Sequence, residues 1–210
     1  MQSRSKADDP SVSISRRVTS VDKNAQVPDR SDRFPLEVRL GLHPCCISPE
    51  ELSSQCELRT QRRSGPGGQH RNKTSSGVFL FHAATGVTAE ATERRSQADN
   101  RRVAFGRMRL KLALEVRTIS PLVALITSQE RLIRDRLRNR RMRVSQQHAD
   151  YPVLISLLLN DLYVSGGQPS LLTEEWGVGS SAIVRFLKTF PPSWVFVNAI
   201  RHHHGRLPLK

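Results

Sequence analysis

Apolar and polar positions change their period along this chain, and the changes mark its elements. Residues 1–34 are polar and Ser-rich, with almost no large apolar groups. They cannot bury enough surface to offset the entropy of ordering, and they read as a disordered N-terminal segment. Order is expected from near Phe34. Ser48-Pro49-Glu50-Glu51 is a helix start: Ser48 as N-cap, Pro49 at the first helical position and Glu51 closing a capping box. That helix ends near Gln55. Cys56 to Arg62 alternates apolar and polar, as a half-buried strand does. A Gly-rich loop follows from Ser64 to Asn72. Val78 to Ala84 is a second strand, Thr85-Gly86 a tight turn, and Val87 to Glu93 alternates again, so residues 77–93 read as a hairpin.

From about Gln97 the period becomes helical. Val103, Phe105, Met108, Leu110, Leu112, Leu114 and Val116 fall on a long helix reaching about Arg117, broken by Ser120-Pro121. Residues 122–147 read as a further, strongly basic helical segment. From about Asp150 the composition shifts. Tyr151 to Val164 is an apolar helix ended by Gly166-Gly167. Leu171 to Trp176, Ser180 to Thr189 and Pro191 to about His204 are helices, with Gly177 as a turn. Helix, Gly-containing turn and helix suggest a helix-turn-helix-like unit.

The expected fold class is α+β. A small mixed β-sheet with a long helix occupies residues 35–118. A basic helical linker spans 119–149, and a small all-helical C-terminal domain spans 150–210.

Composition narrows the function. The net charge of +14 points to a polyanionic partner. Arginine greatly outnumbers lysine, which suits phosphate forks and base stacking, hence RNA. No apolar run reaches the ~18 residues of a membrane span. Cys45, Cys46 and Cys56 are odd in number and lack Cys-x-x-Cys spacing, so neither a disulfide framework nor a zinc ribbon is indicated. The N-terminus has no apolar signal region, and its acids argue against an organelle transit peptide. The expected compartment is the cytoplasm and the expected state a monomer.

The chemistry concentrates in the Gly-rich loop. Gly65, Gly67 and Gly68 make it slim and free its backbone, so it can reach a bond deep inside RNA. A backbone N–H at its tip can stabilise an oxyanion, and the Gln69 amide can orient water. Arg62, Arg63, His70, Arg71 and Lys73 flank it as phosphate-gripping cations. Ser64-Gly65-Pro66-Gly67-Gly68-Gln69-His70-Arg71-Asn72-Lys73-Thr74 closely resembles the catalytic loop of the class I peptide-chain release factors. Thr85-Gly86-Val87 matches the hairpin turn of that domain, and Arg95-Ser96-Gln97 with Asn100 matches the motif opening its long helix.

The resemblance implies that Gly67, Gly68 and Gln69 enter the peptidyl transferase centre of the ribosome, where the Gln69 backbone N–H and side chain promote hydrolysis of peptidyl-tRNA. It implies no cofactor and no metal, and it makes Gln69 a candidate for a glutamine methyltransferase. Arg71 and Arg94 depart from the family pattern, each adding positive charge. Codon-reading release factors carry Pro-x-Thr or Ser-Pro-Phe. Neither tripeptide occurs here, and about 55 residues precede the catalytic region, so the chain is more similar to the short, stop-codon-independent rescue hydrolases.

Outside the loop, Arg95, Arg131, Arg134, Arg138, Arg141 and Arg143 are expected to contact ribosomal RNA. The alternative is a solvated helix face. A second Gly-Gly-Gln, at Gly166-Gly167-Gln168, reads as a helix C-cap and connector. His202-His203-His204 cannot all face one ion from a helix. Two other functions stay open: a ribosome- or RNA-binding factor that kept the fold without the reaction, and a DNA-binding regulator acting through residues 150–210.

Overall fold

A computed structural model describes residues 26–61 and 76–210. The elements run β1 (Val38–Arg39), α1 (Pro49–Ser54), β2 (Cys56–Gln61), β3 (Gly77–His82), β4 (Thr88–Ala91), α2 (Gln97–Glu115), β5 (Arg117–Thr118), α3 (Ser128–Arg138), α4 (Tyr151–Val164), α5 (Thr173–Trp176), α6 (Ser180–Lys188) and α7 (Pro191–His203). The mixed α+β class is as expected. β2, β3 and β4 form an antiparallel sheet, while β1 and β5 pair in parallel. Two-residue strands show no periodicity, which is why the second pairing is invisible in the sequence.

Alternation in β3 sorts its faces. Val78, Leu80 and His82 are buried with Ala89 and Ala91 of β4, whereas Phe81 is exposed. The buried row shares a core with Ala104, Met108 and Leu112 of α2. Ser96 caps α2 by accepting from the Asp99 N–H at 3.3 Å. At the other end the buried Arg117 guanidinium donates to the Leu114 carbonyl at 2.8 Å and to that of Ala113. No carboxylate answers this cation among the described residues. The C-terminal carbonyls of α2 and the Phe196 ring, 5.0 Å away, take that part.

All fourteen residues of α4 are buried. Such a helix is apolar all round because it sits between layers: α2 packs on one side and α7 on another. Its few polar groups are fully engaged. Asn160 accepts from the Thr118 N–H at 3.1 Å and donates to Thr118 Oγ1 at 2.7 Å. Asp161 accepts from Ser120, from both terminal nitrogens of Arg134 and from the Trp176 indole, at 2.7–3.1 Å. One carboxylate thus ties α3, α4 and α5 to the segment after β5. The boundary expected at residue 150 falls inside this shared core, which runs from Cys45 to Val197.

Gly166-Gly167-Gln168 ends α4 as expected. Gly166 and Gly167 have φ of 63° and 72°. Gly167 N–H donates to Leu162 O at 2.7 Å and Gly166 N–H to Tyr163 O at 3.3 Å, the paired bonds of a Schellman cap.

Two expectations are corrected. The basic segment 122–147 is helical only over Ser128–Arg138, because Arg141 and Met142 take left-handed φ of 47° and 60°. The N-terminal segment expected to be disordered through residue 34 is placed from residue 26. Gln26 O accepts from the Gln168 amide at 3.2 Å, Arg30–Asp32 form a 3-10 turn, and Asp32 O faces the His203 ring at 3.1 Å. Backbone carbonyls hold residues 26–32, and Phe34 adds edge contacts to Phe196 and His203, with ring centroids 6.3 and 5.6 Å away, so the polar composition before Phe34 gives no sign of it.

Candidate functional site

The Gly-rich connection joins β2 to β3, whose ladder closes with Gln61 opposite Gly77. Gly67, Gly68 and Gln69, with Arg62, Arg63, His70, Arg71 and Lys73, lie outside the described residues. Their mount is described. A Cβ on Gly77 would meet Gln61 O at 3.1 Å and Thr92 Cγ2 at 3.2 Å, so the base of the connection is tight, and a side chain there would need its neighbours to give way.

Asn100, fully buried, fastens that base to the start of α2. Its Nδ2 donates to Ser76 O at 2.6 Å and to Arg94 O at 2.9 Å, and its Oδ1 accepts from the Arg94 N–H at 2.9 Å. The residue leaving the loop and the residue preceding Arg95-Ser96-Gln97 are thereby held by one amide. The sequence marks Asn100 as part of a motif but gives no role for it.

Beside this clamp, Arg107 pairs with Glu93 at 2.7 Å and donates to Glu90 O at 2.7 Å. Glu93 therefore braces the end of β4 against α2. The turn at Thr85-Gly86 is held by His82, whose Nδ1 meets Thr85 Oγ1 at 2.7 Å and whose Nε2 meets Gln55 Oε1 at 3.1 Å. Gly86 has φ of 75° and donates to His82 O at 2.8 Å. The outer sheet face forms an open concavity of about 640 Å³ lined by Phe79, Phe81, Arg59 and Lys111, among others.

The expected RNA-contacting arginines separate. Arg95, Arg131, Arg138, Arg141 and Arg143 are exposed. Arg131 is paired with Glu175 at 2.8 Å. Arg134 is corrected: it is 2% exposed and bonded to Glu130 at 2.9 Å and Asp161 at 2.8 Å, so it has no face to offer RNA. Burial opposes its charge, but Asp161 and Glu130 outweigh burial and hold its pKa above the ordinary arginine value. Its sequence spacing fits the basic stripe as well as its neighbours' does, and the acid that claims it lies 27 positions away.

Other reactive groups are structural. Burial pushes the Cys45 thiol up to about 12, and its Sγ donates to Arg109 O at 3.1 Å. Among the described residues no group of three or more His, Cys, Asp and Glu could hold a metal ion. Among the described residues no helix is long and apolar enough to cross a membrane.

Residues 47–150 match the RF-1 domain. The chain is 35% identical over 103 residues to "Peptide chain release factor 2" of Lactiplantibacillus plantarum, covering 49% of this chain and 24% of that protein. It is 42% identical over 65 residues to "Peptide chain release factor homolog" of Escherichia coli, covering 31% of this chain and 32% of that one. It is 38% identical over 78 residues to "Peptide chain release factor 1-like, mitochondrial" of Rattus norvegicus, covering 37% and 18%. The chain thus spans under a third of the length of each of these relatives.

Proposed function

Because this chain belongs, through residues 47–150, to the class I peptide-chain release factor family, we propose that it releases nascent peptide on the ribosome by hydrolysing the ester bond of peptidyl-tRNA. The observation that carries this reading is the Gly67-Gly68-Gln69 sequence borne on the connection between β2 and β3, inside the matched region. Gly67 and Gly68 let the backbone enter the peptidyl transferase centre without side chains. The Gln69 N–H stabilises the tetrahedral oxyanion or the leaving 3′ hydroxyl, and its side-chain amide orients the attacking water. Arg62, Arg63, His70, Arg71, Lys73 and Arg95 neutralise phosphates around the loop. Exposed Arg131, Arg138, Arg141 and Arg143 add RNA contacts farther out. Gln69 is a methylation site for a glutamine methyltransferase.

The finer reading is release without a stop codon, as in ribosome rescue in the cytoplasm by a monomer. It rests on the charge and motif pattern of the 210 residues. The test is release of labelled peptide from ribosome–peptidyl-tRNA complexes, on truncated mRNA and on mRNA presenting a stop codon. Wild type releases on the truncated complex. Gly68→Ser binds as before but loses release by about a hundredfold or more, the scale of a removed oxyanion donor. Release only with a stop codon would sink the rescue reading. Binding with no release by wild type would favour a factor that kept the fold without the reaction.

A further inference from the structure

A concavity of about 660 Å³ opens between the turn after α3, the Gly177–Gly179 stretch and α6. Arg141, Arg143 and Arg185 line it, with Ser145 and Thr189, and no acidic residue among the described ones does. Arg138 lies at its edge, its Nε 2.8 Å from where a Cβ on Gly177 would stand. Gly177, at φ 61°, permits both the turn and that close approach.

The arginines around α3 divide into two sets. Arg131, Arg134, Arg136 and Arg140 are paired with Glu175, Glu130, Asp161 or Asp150. Among the described residues, Arg138, Arg141, Arg143 and Arg185 are in no ion pair, and Glu175, Glu130, Asp161 and Asp150 are committed to the first set. Positive charge is thus gathered without counter-charge around one hollow. The left-handed turn at Arg141 and Met142 presents two of these guanidinium groups, and Met142 packs against the core to hold it. Gly179 and Ala182, at the start of α6, line the same hollow, and no side chain caps that end of the helix. Guanidinium forks and helix N–H groups share one preferred ligand, a phosphate.

We propose that this concavity is a phosphate-binding pocket that seats the backbone of an RNA, with Arg141, Arg143 and Arg185 as its cationic wall. The choice of RNA rests on the ribosomal reading above; the pocket's chemistry does not. Arg185 stands 42 positions beyond Arg143, so the sequence does not bring it to the basic segment. The pocket gives the C-terminal helices a recruiting role separate from the loop between β2 and β3.

The test is fluorescence anisotropy of a fluorescein-labelled RNA hairpin with the full chain, titrated over a range of salt. The variants are Arg141→Ala/Arg185→Ala and a control, Arg30→Ala/Arg102→Ala, which removes two exposed arginines outside the pocket. The pocket variant should bind about tenfold more weakly. It should also reduce the slope of log K against log salt by about two, one for each phosphate no longer neutralised. The control should change affinity by less than about twofold. Equal behaviour of the two variants overturns the proposal. So does pocket-dependent binding to phosphatidylserine vesicles with RNA binding intact. The readout is independent of peptide release. A wild type that releases no peptide, yet shows the arginine-dependent RNA binding, sinks the hydrolase reading and leaves the pocket standing.

Discussion

Asn100 commits its side chain to three backbone groups, two on the segment before α2 and one on Ser76 where the loop returns to β3. Aspartate has the same shape but can accept only. Asn100→Asp should therefore lose both donated bonds and cost roughly 2 kcal/mol, read as a lower urea midpoint. An unchanged midpoint would mean that the clamp carries no energy. His43 gives a second residue-level test. Its Nδ1 accepts from the Cys45 N–H at 3.0 Å, so Nε2 carries the proton and donates to Val116 O at 3.1 Å. Burial, with Arg117 nearby, lowers its pKa to about 3. The unfolded chain binds the proton from near pH 6.5 downward and the folded chain does not. The contribution is thus complete above about 6.5 and is lost as pH falls toward 3. Between about pH 7.5 and 5 this amounts to roughly 2 kcal/mol. His43→Gln should flatten that part of the profile in denaturant melts; an equal slope in both proteins would refute the assignment. Such roles are poorly legible in sequence. Asn100 is visible only as a motif member, and Arg134 is indistinguishable from its exposed neighbours until Asp161 is brought to it.

Elements are legible where local chemistry ends them. α4 runs over the residues its apolar pattern marks, because Gly166-Gly167 close it. α1 starts where Ser48 and Pro49 say, with Ser48 Oγ accepting from the Glu51 N–H at 3.1 Å. For α3 the sequence predicts too long a helix, because arginines favour one throughout 129–143 while two left-handed residues stop it. What locks α3 in place is the Arg134–Asp161 pair between elements. Asp161→Ala should cost about 3–5 kcal/mol, because it leaves a buried guanidinium underpaired and removes acceptors from Ser120 and Trp176. Arg134→Met/Asp161→Leu should recover much of that loss in urea melts. A cost below about 1 kcal/mol for the single change would show that water replaces the carboxylate.

At the scale of the molecule, β-sheet, α2, α4 and α7 stack on one continuous core. Removing residues 150–210 would uncover the α2 face that α4 covers. The truncated chain should lose cooperative unfolding and bind hydrophobic dye. A cooperative melt from the 1–149 fragment would show that the sheet and α2 form an independent unit. The composition change near residue 150 reflects the middle layer of a stack, and a middle layer is apolar for the same reason as the centre of a separate domain. Sequence alone does not distinguish the two.

The tether between residues 26–36 and the last helices has a consequence for how the protein is made. Gln26 bonds to Gln168, Leu36 to Tyr163 and Asp32 to His203, pairs separated by 142, 127 and 171 positions. Synthesis proceeds from the N-terminus at about 5–20 residues per second, and such distant partners must wait for one another. The β2–β4 hairpins can pair early, yet α2 stays uncovered until α4 has emerged, and residues 26–36 lack their full seat until α7 exists. The nascent chain thus completes its native state only once α7 has left the ribosome, and until then it carries an exposed apolar helix face of the kind that chaperones shield.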